Sequence, residues 1–182
     1  MSATHPELDT LLQRTRHGDR DAYDRAFAIA YAELRGLARA ARRRLSGATL
    51  NTTGLVHECY LRLLKSPPAA NDAAHFLAIA AQAMRHLLIE LARARLAQKR
   101  GSDPELLDID DHDLVEERDA HELIEIDELL RKLAILHPQQ SAIVECRFFG
   151  GLSDHETAQA LGLSMRTVQR EWARARDWMA AQ

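Results

Sequence analysis

Apolar side chains in this sequence return every three or four residues over long stretches, the period of a helix with one buried face. Within residues 21–45 the repeating positions are Tyr23, Phe27, Tyr31, Leu34, Ala38, Ala41 and Leu45, which predicts one long amphipathic helix ending at Ser46-Gly47. A second helix is expected over 54–65, with Val56, Tyr60 and Leu63 or Leu64 on one side, stopped by Pro67-Pro68 because proline cannot continue the hydrogen-bond ladder. A third is expected over 73–98 through Phe76, Ala80, Ala83, Leu87 and Leu91. Gly101-Ser-Asp-Pro104 breaks the pattern, and little core-forming material follows before about Leu114. Helical spacing resumes with Leu123, Ile126, Leu130 and Leu133; His137-Pro138 starts a further helix, and Gly150-Gly151 closes it.

These breaks divide the 182 residues into a helical domain over 1–100, a linker over 101–121 and a second helical domain over 122–182. Ala, Leu, Arg and Glu dominate and β-branched runs are nearly absent, so the expected class is all-α. Cys59 and Cys146 have no CxxC partner, and the nine histidines lack HExxH-like spacing. Neither a disulfide framework, a metal site nor a cofactor is expected. No leader or membrane-spanning run is evident, which gives a cytoplasmic expectation with no membrane partner.

The last helices carry the most specific local chemistry. Ser153 and Glu156 have capping-box spacing, Ala158 is small where a second helix would cross, and Gly162 suits a turn at positive φ. Ser164 can cap the next helix, whose Val168 and Trp172 point inward. Met165, Arg166, Thr167, Gln169, Arg170 and Arg174 are left facing outward. A capped helix, a glycine turn and a second helix with basic outward residues form a helix-turn-helix that enters a major groove. There Arg pairs with guanine, Gln with adenine, and further Arg residues hold phosphates. The competing reading is a helical hairpin with a solvated Arg-rich face.

Charge changes the picture when it is resolved along the chain. The net value of −3 is unpromising for a nucleic-acid binder. Yet Arg85, Arg93, Arg95, Lys99 and Arg100 are opposed in their stretch only by Glu90, and the final helix adds Arg166, Arg170, Arg174 and Arg176. Between Ser102 and Leu129 the balance reverses, with thirteen carboxylates against Arg118. The acidic linker within this stretch reads either as a solvated spacer or as a segment folded over the basic third helix, blocking DNA.

The stretch from Arg147 to Trp172, which contains the helix-turn-helix, closely resembles the C-terminal, −35-reading domain of extracytoplasmic-function (ECF) sigma factors. Leu55-Val-His-Glu-Cys-Tyr-Leu-Arg-Leu-Leu64 resembles the polymerase-binding helix of the same family, commonly Leu-Val-Gln-Glu-x-Phe-Leu-Arg, and Gly18-Asp-Arg-Asp-Ala-Tyr23 resembles its N-terminal opening. The resemblance covers nearly the whole chain. It implies a non-enzymatic factor that binds core RNA polymerase, through the β′ clamp and β flap, and carries it to promoter DNA. Leu55, Val56, His57, Glu58, Tyr60, Leu61 and Arg62 would meet the polymerase. His75, Phe76, Gln82, Arg85, His86, Arg93, Arg95, Lys99 and Arg100 would open and hold the −10 element, a cationic groove being what a single strand requires. Ser164 and the outward residues of the last helix would read the −35 element.

Two departures from the family pattern are present. The usual Ala-x-Asn-x-x-x-Asp of the −10 helix reads Ala80-Ala-Gln82-Ala-Met-Arg-His86, so promoter specificity does not carry over. The usual Asp-x-Glu-Asp before the Leu-Val helix reads Asn51-Thr52-Thr53-Gly54, without a carboxylate. A phosphothreonine at Thr52 or Thr53 would restore about two negative charges at a helix N-terminus. The resemblance extends to some relatives that lack the acidic motif and use threonine phosphorylation, which makes a Ser/Thr protein kinase one expected partner and an anti-sigma factor the alternative. On the competing reading Asn51 or Thr52 simply caps the helix. The rival functions are a stand-alone helix-turn-helix regulator and a protein-only helical adaptor.

Overall fold

The computed structural model describes residues 6–42, 51–65, 68–100 and 111–182, with no strand among them. The elements in order are α1 (Pro6–Thr15), α2 (Arg20–Ile29), α3 (Tyr31–Arg42), α4 (Thr52–Lys65), α5 (Ala73–Arg100), α6 (Asp111–Leu136), α7 (Pro138–Val144), a π-turn (Glu145–Phe149), α8 (Asp154–Leu161) and α9 (Met165–Ala180). The all-α expectation holds.

Three boundaries differ from the sequence reading. Helix α1, which buries Leu8, Leu11 and Leu12, lies ahead of the first pattern recognised above. The single helix expected over 21–45 is two, α2 and α3, divided at Ala30, whose ψ is 2°. Hydrogen bonds on both sides of the break keep four-residue spacing (Ala30 N–H to Ala26 O, 3.0 Å; Leu34 N–H to Ala30 O, 2.9 Å). The apolar period therefore passes through a bend marked by neither Pro nor Gly; Leu45 lies outside the described residues. Helix α6 begins at Asp111, so the second half of the expected linker is helical.

Helix α5 is the axis of the molecule. At 28 residues it is about 42 Å long. Asp72 caps it by accepting the His75 N–H at 2.8 Å, and Asp9 of α1 takes the Ala73 N–H at 2.8 Å. It packs against α3 and α4, and also against α6, the π-turn and α8. One continuous apolar core results. Leu12, Tyr23, Leu34, Leu55, Phe76, Met84 and Leu88 share it with Leu123, Leu130 and Phe149. The two halves thus lie against each other. A second small cluster of Ile143, Ala158 and Val168 holds the C-terminal helices together.

Candidate nucleic-acid interface

The helix-turn-helix is built by local hydrogen bonds. The Ser153 side chain accepts the Glu156 N–H at 3.2 Å, and Glu156 Oε2 accepts the Ser153 N–H at 2.9 Å. Gly162 ends α8 in the left-handed region, with φ of 64°, where a side chain would be strained. Ser164 caps α9 by accepting the Thr167 N–H at 3.1 Å. Val168 is fully buried, and Trp172 packs beneath the Arg147 guanidinium, 4.5 Å from its ring centre.

On the outer face of α9, Met165, Arg166, Gln169, Arg170 and Arg174 are exposed. Thr167 is half-buried, its hydroxyl 2.8 Å from that of Ser164. Gln169 donates to Asp154 at 3.0 Å. Arg170 and Arg174 both reach Glu171 Oε1, at 2.8 and 3.1 Å, while Gln140 donates to its other oxygen at 2.9 Å. The hydrogen bond from Arg170, followed by that from Gln140, holds the Glu171 carboxyl below its ordinary range. Sequence reasoning missed Glu171. Its signal was spacing: it stands three residues after Val168 and four before Ala175, on the inward stripe of α9.

Helix α4 divides the expected polymerase-facing residues. Leu55 and Val56 lie in the core, because they share the inward stripe with Cys59 and Leu63. His57, Glu58 and Leu61 point outward. Tyr60 is half-buried and its hydroxyl donates to Asp24 at 2.8 Å, while Arg62 makes a two-pronged pair with Glu90 at 2.5 and 3.1 Å. At the helix start, Asn51 Oδ1 accepts the Gly54 N–H at 2.8 Å, and the first turn holds no carboxylate. Thr52 is half-buried and Thr53 exposed.

On α5 the expected −10 residues differ in burial. Phe76 is fully buried, edge-on to Phe27 with ring centres 6.2 Å apart, so it belongs to the core. His75 accepts the Asn71 N–H at 3.2 Å and is half-buried. Further along, the polar edge of α5 meets carboxylates from the C-terminal half. Gln82 donates to Glu145 at 3.1 Å. Arg85, only 4% exposed, donates to Glu145 at 2.8 Å and lies 3.2 Å from Asp127 and 3.1 Å from the His86 ring nitrogen. Arg93 and Arg131 reach the other oxygen of Asp127, at 3.1 and 3.0 Å. Arg95 is half-buried; Lys99 and Arg100 belong to α5, but their side chains lie outside the described residues.

Burial sets the electrostatics of this edge. It raises the Glu145 carboxyl above its ordinary value, with Arg85 opposing. It lowers His86, and the neighbouring Arg85 lowers it further. Burial also lifts the thiols of Cys59 and Cys146 to about 12, so neither is an activated nucleophile. Asp127 and Glu145 were not singled out from sequence. The signal for Asp127 was present, since it sits between Leu123 and Leu130 on the buried stripe of α6. The carboxylates expected to fold over α5 were those of the linker; the side chains of residues 108–117 lie outside the described set.

No group of three His, Cys, Asp or Glu residues suited to a metal occurs among the described residues, and none of the described helices is long and apolar enough to cross a membrane.

An all-helical chain ending in a capped helix-turn-helix with a cationic outer face has the form of a DNA-binding transcription protein. The family model described as ECF sigma factor matches residues 5–182. The chain belongs to the ECF sigma factor family, whose members direct transcription with core RNA polymerase and promoter DNA as partners and are initiation factors rather than enzymes. A search of curated proteins finds no match.

Proposed function

We propose that the outward side of α4 (His57, Glu58 and Leu61) docks on the β′ clamp, and that the polar edge of α5 engages the −10 element. The outer face of α9 reads the −35 element, with the C-terminal half meeting the β flap. Polymerase binding is controlled at the start of α4 by phosphorylation of Thr52 or Thr53. The observation that carries the control is the composition of that start. Asn51 caps a first turn that has no acidic residue, at a site where two added charges would meet the positive end of the helix dipole. Exposure favours Thr53 as the modified residue.

The test is transcription from a genomic fragment library with purified core polymerase. Thr53→Ala, Thr53→Asp and the corresponding Thr52 variants are compared with unmodified protein and with protein treated with a Ser/Thr kinase. Activity that rises with the acidic substitution and is lost with alanine supports the switch. Equal activity in all variants eliminates it and leaves an anti-sigma factor as the source of control. A stand-alone regulator would bind DNA and fail to co-elute with core polymerase.

A further inference from the structure

We propose that Asp154 is a positioning residue for sequence readout. It fixes which way the Gln169 side-chain amide faces, and so makes the outer face of α9 choose adenine over guanine at one base pair of the −35 element. This inference rests on the reading of α9 as the helix that enters that element.

The outward arginines of α9 carry donors only, so turning their ends over changes nothing that a base could read. Gln169 is different. Its amide presents an acceptor beside a donor in one orientation and donors alone when turned over, and the two faces suit adenine and guanine respectively. The structure removes the choice. Asp154 Oδ2 stands 3.0 Å from Gln169 Nε2. An ionised carboxylate only accepts, so the amide nitrogen must face it, and one N–H is consumed there. The edge carrying Oε1 and the remaining N–H is left for a base, and that pair matches the N6 amino group and N7 of adenine. Asp154 is itself restrained. Arg147 Nη1 lies 2.9 Å from its Oδ1, at ion-pair range without forming a hydrogen bond, and the Arg147 guanidinium sits over the Trp172 ring. The Arg147 and Asp154 side chains are only about one-quarter exposed (25% and 26%), whereas Gln169 is exposed. Side chains from the π-turn, α8 and α9 thus hold one amide in one sense, on the surface where α9 would meet a duplex.

The test assembles holoenzyme from core polymerase and the full-length protein, incubates it with a randomised duplex library and sequences the bound fraction. Asp154→Asn, Asp154→Ala, Gln169→Ala and Arg166→Ala are compared with wild type, each first checked for unchanged helix content by circular dichroism. Gln169→Ala should flatten an adenine preference of about tenfold at one base pair, within the range that a single two-pronged base contact supplies. Asp154→Ala should flatten the same position and leave the others as they are. Asp154→Asn is the more searching variant. Arg147 keeps the oxygen of the new amide on its own side, so an NH2 group takes the place of Oδ2 and Gln169 must turn its oxygen toward it. Guanine should then replace adenine at that position. A role confined to stabilising the start of α8 would instead weaken binding evenly and leave every preference unchanged. That even loss, or an adenine preference retained in both Asp154 variants, overturns the proposal, while the effect of Gln169→Ala still identifies α9 as the reading helix. If neither Gln169→Ala nor Arg166→Ala changes any position, the −35 reading fails and the inference with it.

Discussion

Asp127 is the residue whose removal should damage the closed molecule most. Its carboxylate is fully buried and gathers Arg85, Arg93 and Arg131. Two of those arginines, Arg93 and Arg131, have side chains about half exposed (44% and 57%) and can return to water; Arg85, at 5%, cannot while the halves stay packed. Breaking a buried ion pair from one side costs about 3–5 kcal/mol, because the remaining charge stays desolvated. Removing an exposed partner costs at most about 1 kcal/mol. Asp127→Ala should therefore lower the midpoint of thermal unfolding by about 6–20 °C, taking about 2–4 °C per kcal/mol for a chain of this size. Arg93→Ala should lower it by no more than about 4 °C. The double variant Arg85→Met/Asp127→Leu replaces the pair with apolar groups and should recover most of the loss. Thermal unfolding followed by circular dichroism at neutral pH measures all three. An Asp127→Ala loss no larger than that of Arg93→Ala, or a double variant worse than the single, would refute the buried-pair account.

The remaining tests are simpler. A Cβ at Gly162 meets nothing within 4 Å, so Gly162→Ala should cost only the left-handed backbone penalty, about 1–2 kcal/mol by urea unfolding, with Asn tolerated better. Because burial and Arg85 depress His86 below its ordinary 6.5, the unfolded chain binds that proton more readily than the folded one. Stability should fall as pH drops through about 6.5, and His86→Gln should flatten that slope in urea titrations between pH 5 and 7; the other charges acting on the ring are Arg62, Glu90 and Asp127. Glu90 and Glu171, both held low by arginine hydrogen bonds, should lose their contribution only below about pH 4.5, giving a separate second fall. Arg166→Ala should weaken duplex binding and reduce the salt slope by about one, read from anisotropy over a range of salt concentrations.

Much of the C-terminal half was legible because its signals are local. Ser153 with Glu156, Gly162 and Ser164 each fix a hydrogen bond or a backbone angle within four residues, and all are found as their spacing implied. The interior of α4 was half legible. Its motif marked the helix, but only the buried stripe of Leu55, Val56, Cys59 and Leu63 tells which motif residues point outward. What was not legible depended on long-range packing. A bend at Ala30 has no local marker, and the pairing of Arg85 with Glu145 joins residues sixty positions apart. Net charge misled for the same reason, since it counts Asp127 and Glu145 as surface charge when they are bound to arginines inside the molecule.

The buried carboxylates do different work according to which element carries them. Glu171 lies on α9 itself, within one turn of the arginines it holds, so it moves with Arg170 and Arg174 and can only orient them. Asp127 and Glu145 lie on elements separate from α5, so what they do to Arg85 lasts only while the halves are packed. The first arrangement is permanent and the second removable, although the ion pairs are of similar length. A chain with two cationic edges can thus neutralise one from within its own helix and the other from across an interface.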